Sequence, residues 1–135
     1  MEDIEAEGAA QDVVHHLLAI HRHLRHYSKR VSSELGISGR QLAVLRRLHE
    51  AGPVPIGQIG AHLYLAESTT SELVDGLEDR GLVKRERSRE DNRVAMVSLT
   101  PRGEALVAQA PLGGMGLLRH RLRSEPADKV VAVAR

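Results

Sequence analysis

The sequence predicts a mainly α-helical domain with one small β-hairpin, and three observations support that prediction. Between residues 13 and 35, apolar residues recur at alternating spacings of four and three, the period of a helix with a narrow apolar seam. Two later stretches alternate apolar and polar residues around a polar turn, which is typical of two paired strands. A chain of 135 residues with 41% apolar residues has the size and composition of one domain.

The first predicted helix spans residues 13 to 35. A seam of this length needs a partner surface, which is either another part of the chain or a second copy. We expect a second copy, because the seam otherwise leaves a long apolar stripe on a small domain. The seam residues are Val13, Leu17, Ile20, Leu24, Tyr27, Val31 and Leu35.

Capping signals delimit the second and third helices. Ser38, followed three residues later by Gln41, predicts a capping box, and Gly52-Pro53 predicts the end of the second helix. A short third helix is predicted after residue 54, with Pro55 at its first helical position. The predicted buried face of the second helix consists of Leu42, Val44, Leu45 and Leu48.

The fourth helix is predicted in "AESTTSELVDGLEDRG", with Leu73, Val74 and Leu77 facing inward and Gly81 at its C-terminal cap. Its first turn is crowded with hydroxyl groups, which disfavour helix formation. These hydroxyls either cap the helix locally or reach outward to a polar partner. They belong to Ser68, Thr69, Thr70 and Ser71.

Two strands, "LVKRERS" and "RVAMVSL", are predicted to form a hairpin with a turn at Arg89 to Asn92. Arginines alternate there with carboxylates, so the stretch is nearly neutral and differs from a disordered basic tail. A solvated, salt-bridged hairpin is the simplest interpretation. The charged residues are Arg85, Glu86, Arg87, Arg89, Glu90, Asp91 and Arg93.

Further helices are predicted after the hairpin. Thr100-Pro101 supplies an N-cap and a first-turn proline for a helix to about residue 110. Breaks are predicted at Pro111, Gly113, Gly114 and Gly116, before an apolar face resumes at Leu117, Leu118 and Leu122. A last short helix is predicted to begin near Pro126.

The order helix, helix, tight turn, helix, charged hairpin is that of a winged helix-turn-helix. The stretches "ISGRQLAVLRRL", "LVDGLEDRGLVKR" and "REDNRVAMVSLTPRGEAL" closely resemble the multiple antibiotic resistance regulator (MarR) family of bacterial transcription factors. The resemblance covers roughly residues 10 to 125. Its most specific part is Asp91-x-Arg93, followed by a strand and "LTPRG".

The resemblance implies a homodimer that binds a roughly palindromic operator, usually as a repressor. Residues 1–35 and 101–135 would be dimerisation helices, and residues 36–100 would form the DNA-binding lobe. A small-molecule effector would bind between the dimer part and that lobe and release the DNA. The dimer interface would contain Val13, Leu17, Ile20, Leu24, Tyr27, Val31, Leu117, Leu118 and Leu122.

The resemblance also implies which residues contact double-stranded DNA. Arg93 would enter the minor groove, and Asp91 would orient its guanidinium through charge-assisted hydrogen bonds. The full expected set is Ser68, Thr69, Thr70, Ser71, Glu72, Arg85, Arg87, Arg89, Asp91 and Arg93.

Three positions depart from the family's pattern. Ala66 stands at the expected N-cap of the fourth helix and cannot accept a bond from its free amides. Glu72 and Gly76 replace residues that are often basic. A carboxylate repels phosphate, although Glu can accept a hydrogen bond from cytosine N4. These departures keep open an alternative: a winged-helix dimer that binds small molecules or proteins and whose DNA binding is weak or lost.

Composition excludes several other functions. The absence of cysteine excludes disulfides, thiol redox sensing and thiolate metal sites. Only two aromatic residues, Tyr27 and Tyr64, are present, which argues against stacking platforms for RNA or single strands. No catalytic motif is found, so we expect neither an enzyme nor a cofactor. The acidic start and the lack of a long apolar run predict a cytoplasmic protein without membrane contact.

Five histidines lie in the first predicted helix. Zinc typically needs four ligands, and these residues would have to borrow some from another helix or chain. We therefore expect no metal site and interpret the histidines as a solvated rim of the dimer helix, with a pH-responsive rim as a further alternative. They are His15, His16, His21, His23 and His26.

Overall fold

The computed structural model describes residues 1–111 and 113–134, and within them the chain forms seven helices and three short strands. Contacts divide the chain into two units: Met1–Arg30 with the helices after Pro111, and Val31–Pro111. The mainly helical fold with a small hairpin is confirmed. The elements are α1 (Glu2–Leu35), α2 (Gly39–Ala51), β1 (Val54–Pro55), α3 (Ile56–Leu63), α4 (Glu67–Asp79), β2 (Val83–Arg87), β3 (Ala95–Leu99), α5 (Pro101–Gln109), α6 (Gly114–Ser124) and α7 (Ala127–Ala134).

Helix α1 begins eleven residues earlier than the apolar seam indicated, since it starts at residue 2 and not at 13. Its first turn contains Glu2, Asp3 and Glu5, and carboxylates stabilise the positive end of the helix dipole. The spacing of apolar residues reveals only the part of a helix that has an apolar face. The mostly polar residues at the start of α1 therefore gave no indication that they are helical.

The unit Val31–Pro111 has an aliphatic core. Helix α2 is fixed at its start by the predicted capping box, in which Gln41 N donates to Ser38 Oγ and Ser38 N donates to Gln41 Oε1, both at 3.0 Å. The predicted buried face of α2 is confirmed. The core residues are Val31, Ile37, Leu42, Val44, Leu45, Leu48, Val54, Ile59, Val74, Leu77, Leu82, Val83 and Val97.

Two predictions in this region were wrong. Val31, which we had placed in a dimer interface, is fully buried in the core of its own lobe, because the last turns of α1 belong to that unit. Pro55 does not open α3: it ends strand β1 and is the N-cap of the helix.

The wing is a three-stranded antiparallel sheet in the order β1-β3-β2. Both predicted hairpin strands are confirmed, and Val83 pairs with Leu99 while Arg87 pairs with Ala95. The short strand β1 was not predicted. It consists of Val54 and Pro55 paired with β3, and two residues are too few to show a strand period.

A compact junction joins the end of α4 to the start of α5. Gly81, at φ 71°, ends α4 as predicted, with Leu82 N donating to Leu77 O at 3.0 Å. The hydroxyl of Thr100 donates to Gly81 O at 2.6 Å and accepts from Gly103 N at 3.1 Å. The predicted N-cap at Thr100 is therefore confirmed, and it also holds the hairpin's end against the end of α4.

In the other unit, α6 packs on α1. His23 Nε2 accepts a hydrogen bond from Gly114 N at 3.2 Å. The backbone of Gly113 lies so close to the Tyr27 ring that an added Cβ would be 2.3 Å from a ring carbon. The predicted break covers Pro111 and Gly113, whereas Gly114 is the first residue of α6 and Gly116 lies within it. None of the described helices combines the length and apolarity needed to cross a bilayer.

The close packing at Gly103 yields a stability prediction. A Cβ at Gly103 would lie 2.1 Å from Leu82 O, so Gly103→Ala must displace the junction backbone. We expect it to lower the free energy of unfolding by about 1–3 kcal/mol or more. The measurement is urea unfolding followed by circular dichroism.

The matched control is Gly57→Ala, because Gly57 is helical and a Cβ there meets nothing within 4 Å. Alanine at such a position is expected to be neutral or to stabilise by roughly 0.5–1 kcal/mol. Equal unfolding midpoints for the two variants would contradict the close packing at Gly103.

Candidate nucleic-acid interface

Helix α4 has one buried and one exposed face. Val74 and Leu77 are fully buried, while predicted inward-facing Leu73 is only half-buried. At about 100° per residue, the opposite side carries four exposed side chains, and Ser68 and Glu72 lie in its N-terminal half. The exposed side chains are Ser68, Glu72, Asp75 and Asp79.

The crowded hydroxyls at the start of α4 have different roles. Thr70 is 2% exposed and its hydroxyl donates to Ala66 O at 3.0 Å, so its predicted contact with DNA was wrong. Its burial follows from the close approach of α3, where a Cβ at Gly60 would lie 2.6 Å from Thr70 Oγ1. Ser68 is exposed, and Thr69 and Ser71 are half-buried.

The structure shows the surroundings of two residues that depart from the family's pattern, one at the start of α4 and one within it. Ala66 is the N-cap, and it supplies no side-chain hydrogen bond to the helix because its methyl group has no acceptor atom. Gly76 is half-buried, and a Cβ there would come within 2.9 Å of Gln41 Nε2 on α2. A longer side chain at position 76 would therefore have to displace Gln41.

Arg85 links strand β2 to helix α4. Its guanidinium forms an ion pair with the carboxylate of Asp75 and also donates to Ser71 O at 3.4 Å. Its backbone N donates to Glu78 Oε2 at 3.1 Å. The side chain is 30% exposed. The guanidinium thus holds the wing to α4, and the contact of Arg85 with DNA stays a prediction.

The tip of the wing carries the predicted pair of Asp91 and Arg93. Arg93 Nε donates to Asp91 Oδ1 at 3.2 Å, and its backbone N donates to the same oxygen at 3.0 Å. The Arg93 side chain is nevertheless 91% exposed. Asp91 thus restricts the start of the side chain and leaves most of the guanidinium accessible.

The remaining wing residues complete this surface. Arg87 and Arg89 are exposed, and Lys84 pairs with Glu86 at 3.1 Å. Ser88 Oγ accepts from Glu90 N at 3.2 Å and shapes the turn. Sequence reasoning missed Ser88 and the partners of Arg85, because a contact between a helix and a strand has no signature in residue spacing.

Positive and negative charges are separated on this surface. Helix α4 contains five carboxylates and no Lys or Arg, while the wing carries the exposed Arg87, Arg89 and Arg93. Arg85 neutralises only Asp75 among the carboxylates of α4. The wing is therefore the positively charged part of this surface, and α4 is its acidic part.

The unit that contains Met1–Arg30 has an exposed apolar surface. Val13, Leu17 and Ile20 are 58%, 60% and 41% exposed, and Leu118 and Leu122 are 38% exposed. Leu24, Tyr27 and Leu117 are half-buried. A cavity of about 350 Å³ opens between α1 and α6, with a lining composed of Ala19, Ile20, His23, Leu24, Gly114, Leu117 and Leu118.

All five histidines of α1 are exposed, and His15, His23 and His26 line one open groove on the helix. His23 Nε2 also accepts a hydrogen bond from Gly114 N at 3.2 Å. Across residues 1–111 and 113–134, no three His, Asp or Glu side chains are grouped so that they could hold a metal ion.

Comparison with known proteins places this fold among transcriptional regulators. The model of the MarR family matches residues 37–95. An uncharacterized HTH-type transcriptional regulator of Bacillus subtilis, YsmB, is 30% identical over 122 residues, which are 85% of this chain and 84% of that protein.

Solved structures show the same architecture. BldR from Sulfolobus solfataricus superposes with a TM-score of 0.74 at 20% identity, covering 99% of this chain and 95% of that one. Reduced AbfR, solved bound to DNA, has a TM-score of 0.65 at 26% identity, covering 90% and 92%.

The contacts of Arg85 predict that it stabilises the lobe. Arg85→Gln removes the ion pair with Asp75 and the bond to Ser71 O, so we expect a loss of about 1–2 kcal/mol in the free energy of unfolding. Arg87→Gln, two residues along the same strand and exposed, should change it by less than about 0.5 kcal/mol. Chemical denaturation measures both, and equal stabilities would show that the Arg85 contacts contribute nothing.

Proposed function

The chain belongs to the MarR family of winged helix-turn-helix transcriptional regulators, and from that premise we propose that it is a homodimeric repressor acting on a roughly palindromic operator. Members of this family bind DNA and are not enzymes. One observation carries the proposal: the exposed face of α4 and the arginine-bearing wing belong to one lobe and are joined by Arg85.

Docking on DNA assigns different roles to the two elements. The N-terminal half of α4 enters the major groove with Ser68, Thr69, Ser71 and Glu72. Arg87 and Arg89 contact phosphates, and Arg93, oriented by Asp91, enters the adjacent minor groove. Two lobes related by a two-fold axis read half-sites about one helical turn apart.

Dimerisation accounts for the exposed apolar surface of the other unit. Val13, Leu17 and Ile20 of α1 and Leu118 and Leu122 of α6 are exposed in the single chain, where apolar patches of this size are unfavourable. We propose that Met1–Arg30, α6 and α7 dimerise, and that Val31–Pro111 binds DNA. Helix α5 then belongs to the DNA-binding lobe, although the sequence boundaries grouped it with the dimerisation helices.

The proposal that the protein is a repressor released by a small molecule is supported by the family resemblance alone. Thiol oxidation is not the signal, because the sequence contains no cysteine. The regulator acts in the cytoplasm, where it meets double-stranded DNA.

A charge in the exposed seam tests the dimer. Leu17→Glu should shift the parent dimer toward monomer at micromolar concentration, since an ionised carboxylate would be buried without a partner. Ser33→Glu, an exposed position on the same helix, is the matched control. Sedimentation velocity is the measurement, and a monomeric parent protein would refute the dimer.

Phosphate contacts are tested through salt dependence. Arg87→Ala should weaken binding to the chain's own upstream DNA almost evenly across sequences and lower the slope of log affinity against log salt by about one unit. Lys29→Ala, an exposed cation of the other unit, should leave that slope unchanged. Fluorescence anisotropy at several salt concentrations measures the slope. An unchanged slope for Arg87→Ala would show that Arg87 does not contact a phosphate.

The minor-groove role of Arg93 has a different signature. Arg93→Ala should cost most affinity on operators with A·T-rich flanks, where the groove is narrow and its potential most negative, and little on G·C-rich flanks. Arg93→Lys should restore little, because an ammonium lacks the planar fork and is more strongly hydrated. The measurement compares two operators that differ only in their flanks. Should Arg93→Ala bind both as tightly as the parent, the wing is a solvated hairpin.

A further inference from the structure

Glu72 occupies a distinctive place on α4. It lies nearly opposite the buried side chains of Val74 and Leu77, and it is exposed. Ser68, one turn earlier on this face, is short. Asp75, the next exposed carboxylate, is held by Arg85. Glu72 is therefore the longest side chain that the first two turns of this face present outward.

The charge of Glu72 is not used within the lobe. No ion pair involves it in the part of the chain that the structure describes, and α4 contains no Lys or Arg. Its neighbours at three residues' distance are Thr69 and Asp75, and Asp75 repels it. The carboxylate therefore does not stabilise the helix that carries it, and it stays available to an external donor.

An ionised carboxylate accepts hydrogen bonds and donates none. In the major groove, guanine presents only acceptors and thymine presents an acceptor and a methyl group, while cytosine presents an N4 amino donor. Adenine also has an amino donor at N6, but the acceptor N7 lies next to it. When one carboxylate oxygen accepts from N6, N7 repels the other oxygen. The edge of cytosine is thus the base edge that best matches Glu72.

We propose that Glu72 specifies a C·G base pair in each half-site by accepting a hydrogen bond from cytosine N4. This inference rests on the proposed function, because it places α4 in the major groove. The same carboxylate is repelled by phosphates and by the acceptors of guanine and thymine. Glu72 therefore weakens binding to non-cognate DNA, and it raises the specificity ratio while the wing arginines supply attraction.

Selection from a random duplex pool tests this assignment. The parent protein should enrich a C·G pair at one symmetric position of each half-site. Glu72→Gln should change that position to A·T, since Gln pairs with adenine N6 and N7, and Glu72→Ala should lose the preference there. Both variants should bind random DNA more tightly than the parent, because a repulsive charge is removed.

Glu67→Gln is the matched control. It removes one exposed carboxylate from the same helix, outside the outward face of Glu72, so it should leave the selected sequence unchanged. Circular dichroism and melting temperature establish that each variant is folded, as expected for substitutions of exposed side chains.

A base analogue isolates the hydrogen bond. Replacing the selected cytosine with 2-pyrimidinone, which lacks the amino group, should lower the affinity of the parent roughly 5- to 100-fold. Glu72→Ala should bind both duplexes equally, which controls for weaker pairing of the analogue.

The outcomes separate the two levels of the proposal. A parent protein that selects an operator while its Glu72 variants select the same base at every position overturns the role of Glu72 alone. A parent that binds no duplex overturns both this role and the proposed repressor function.

Discussion

The link between Arg85 and helix α4 determines how the proposed DNA-binding surface is built. A recognition helix and a wing can act on one duplex only if their relative position is fixed before they bind. Arg85 supplies that fixation from β2, through the Asp75 carboxylate, the Ser71 carbonyl and the backbone bond to Glu78. The junction of Thr100 with Gly81 and Gly103 closes the same corner from the other side. The arginine's positive charge is thus paired with a carboxylate of α4, and its side chain stays 30% exposed.

This use of Arg85 defines the electrostatics of the surface. With Arg85 paired to Asp75, the wing still presents the exposed cations Arg87, Arg89 and Arg93, while α4 itself remains acidic. In the proposed complex, affinity and specificity are therefore divided between elements. In that complex, Arg87 and Arg89 provide sequence-independent attraction to phosphate, and Arg93 responds to the width of the minor groove. Helix α4 discriminates through acceptors that tolerate few base edges. A recognition helix without cations is compatible with DNA binding if the arginines of the wing supply the attraction to DNA.

The two units bury apolar surface in different ways. The lobe encloses its aliphatic residues, and Val31 shows that even the end of α1 takes part in that core. The other unit leaves Val13, Leu17 and Ile20 exposed on a helix that cannot bury them alone. The proposed dimer follows from this contrast, because a second copy would cover the side chains that the single chain leaves exposed. Folding of the lobe and assembly of the proposed dimer then depend on different segments of α1, the end from Val31 onward and the part before it.

Local signals in the sequence determined the elements of this protein: the capping box at Ser38, the glycine end of α4 at Gly81, the N-cap at Thr100 and the alternation of the hairpin strands. Each depends on residues a few positions apart, so spacing alone reveals it. The MarR-like motif around Asp91 and Arg93 likewise predicted the family and the pair itself. Only the tertiary structure decided that Thr70 is buried, that Arg85 faces α4 and that Val31 belongs to the lobe. Those outcomes depend on which elements pack together, and the polar or apolar character of a residue does not reveal which neighbour will cover it.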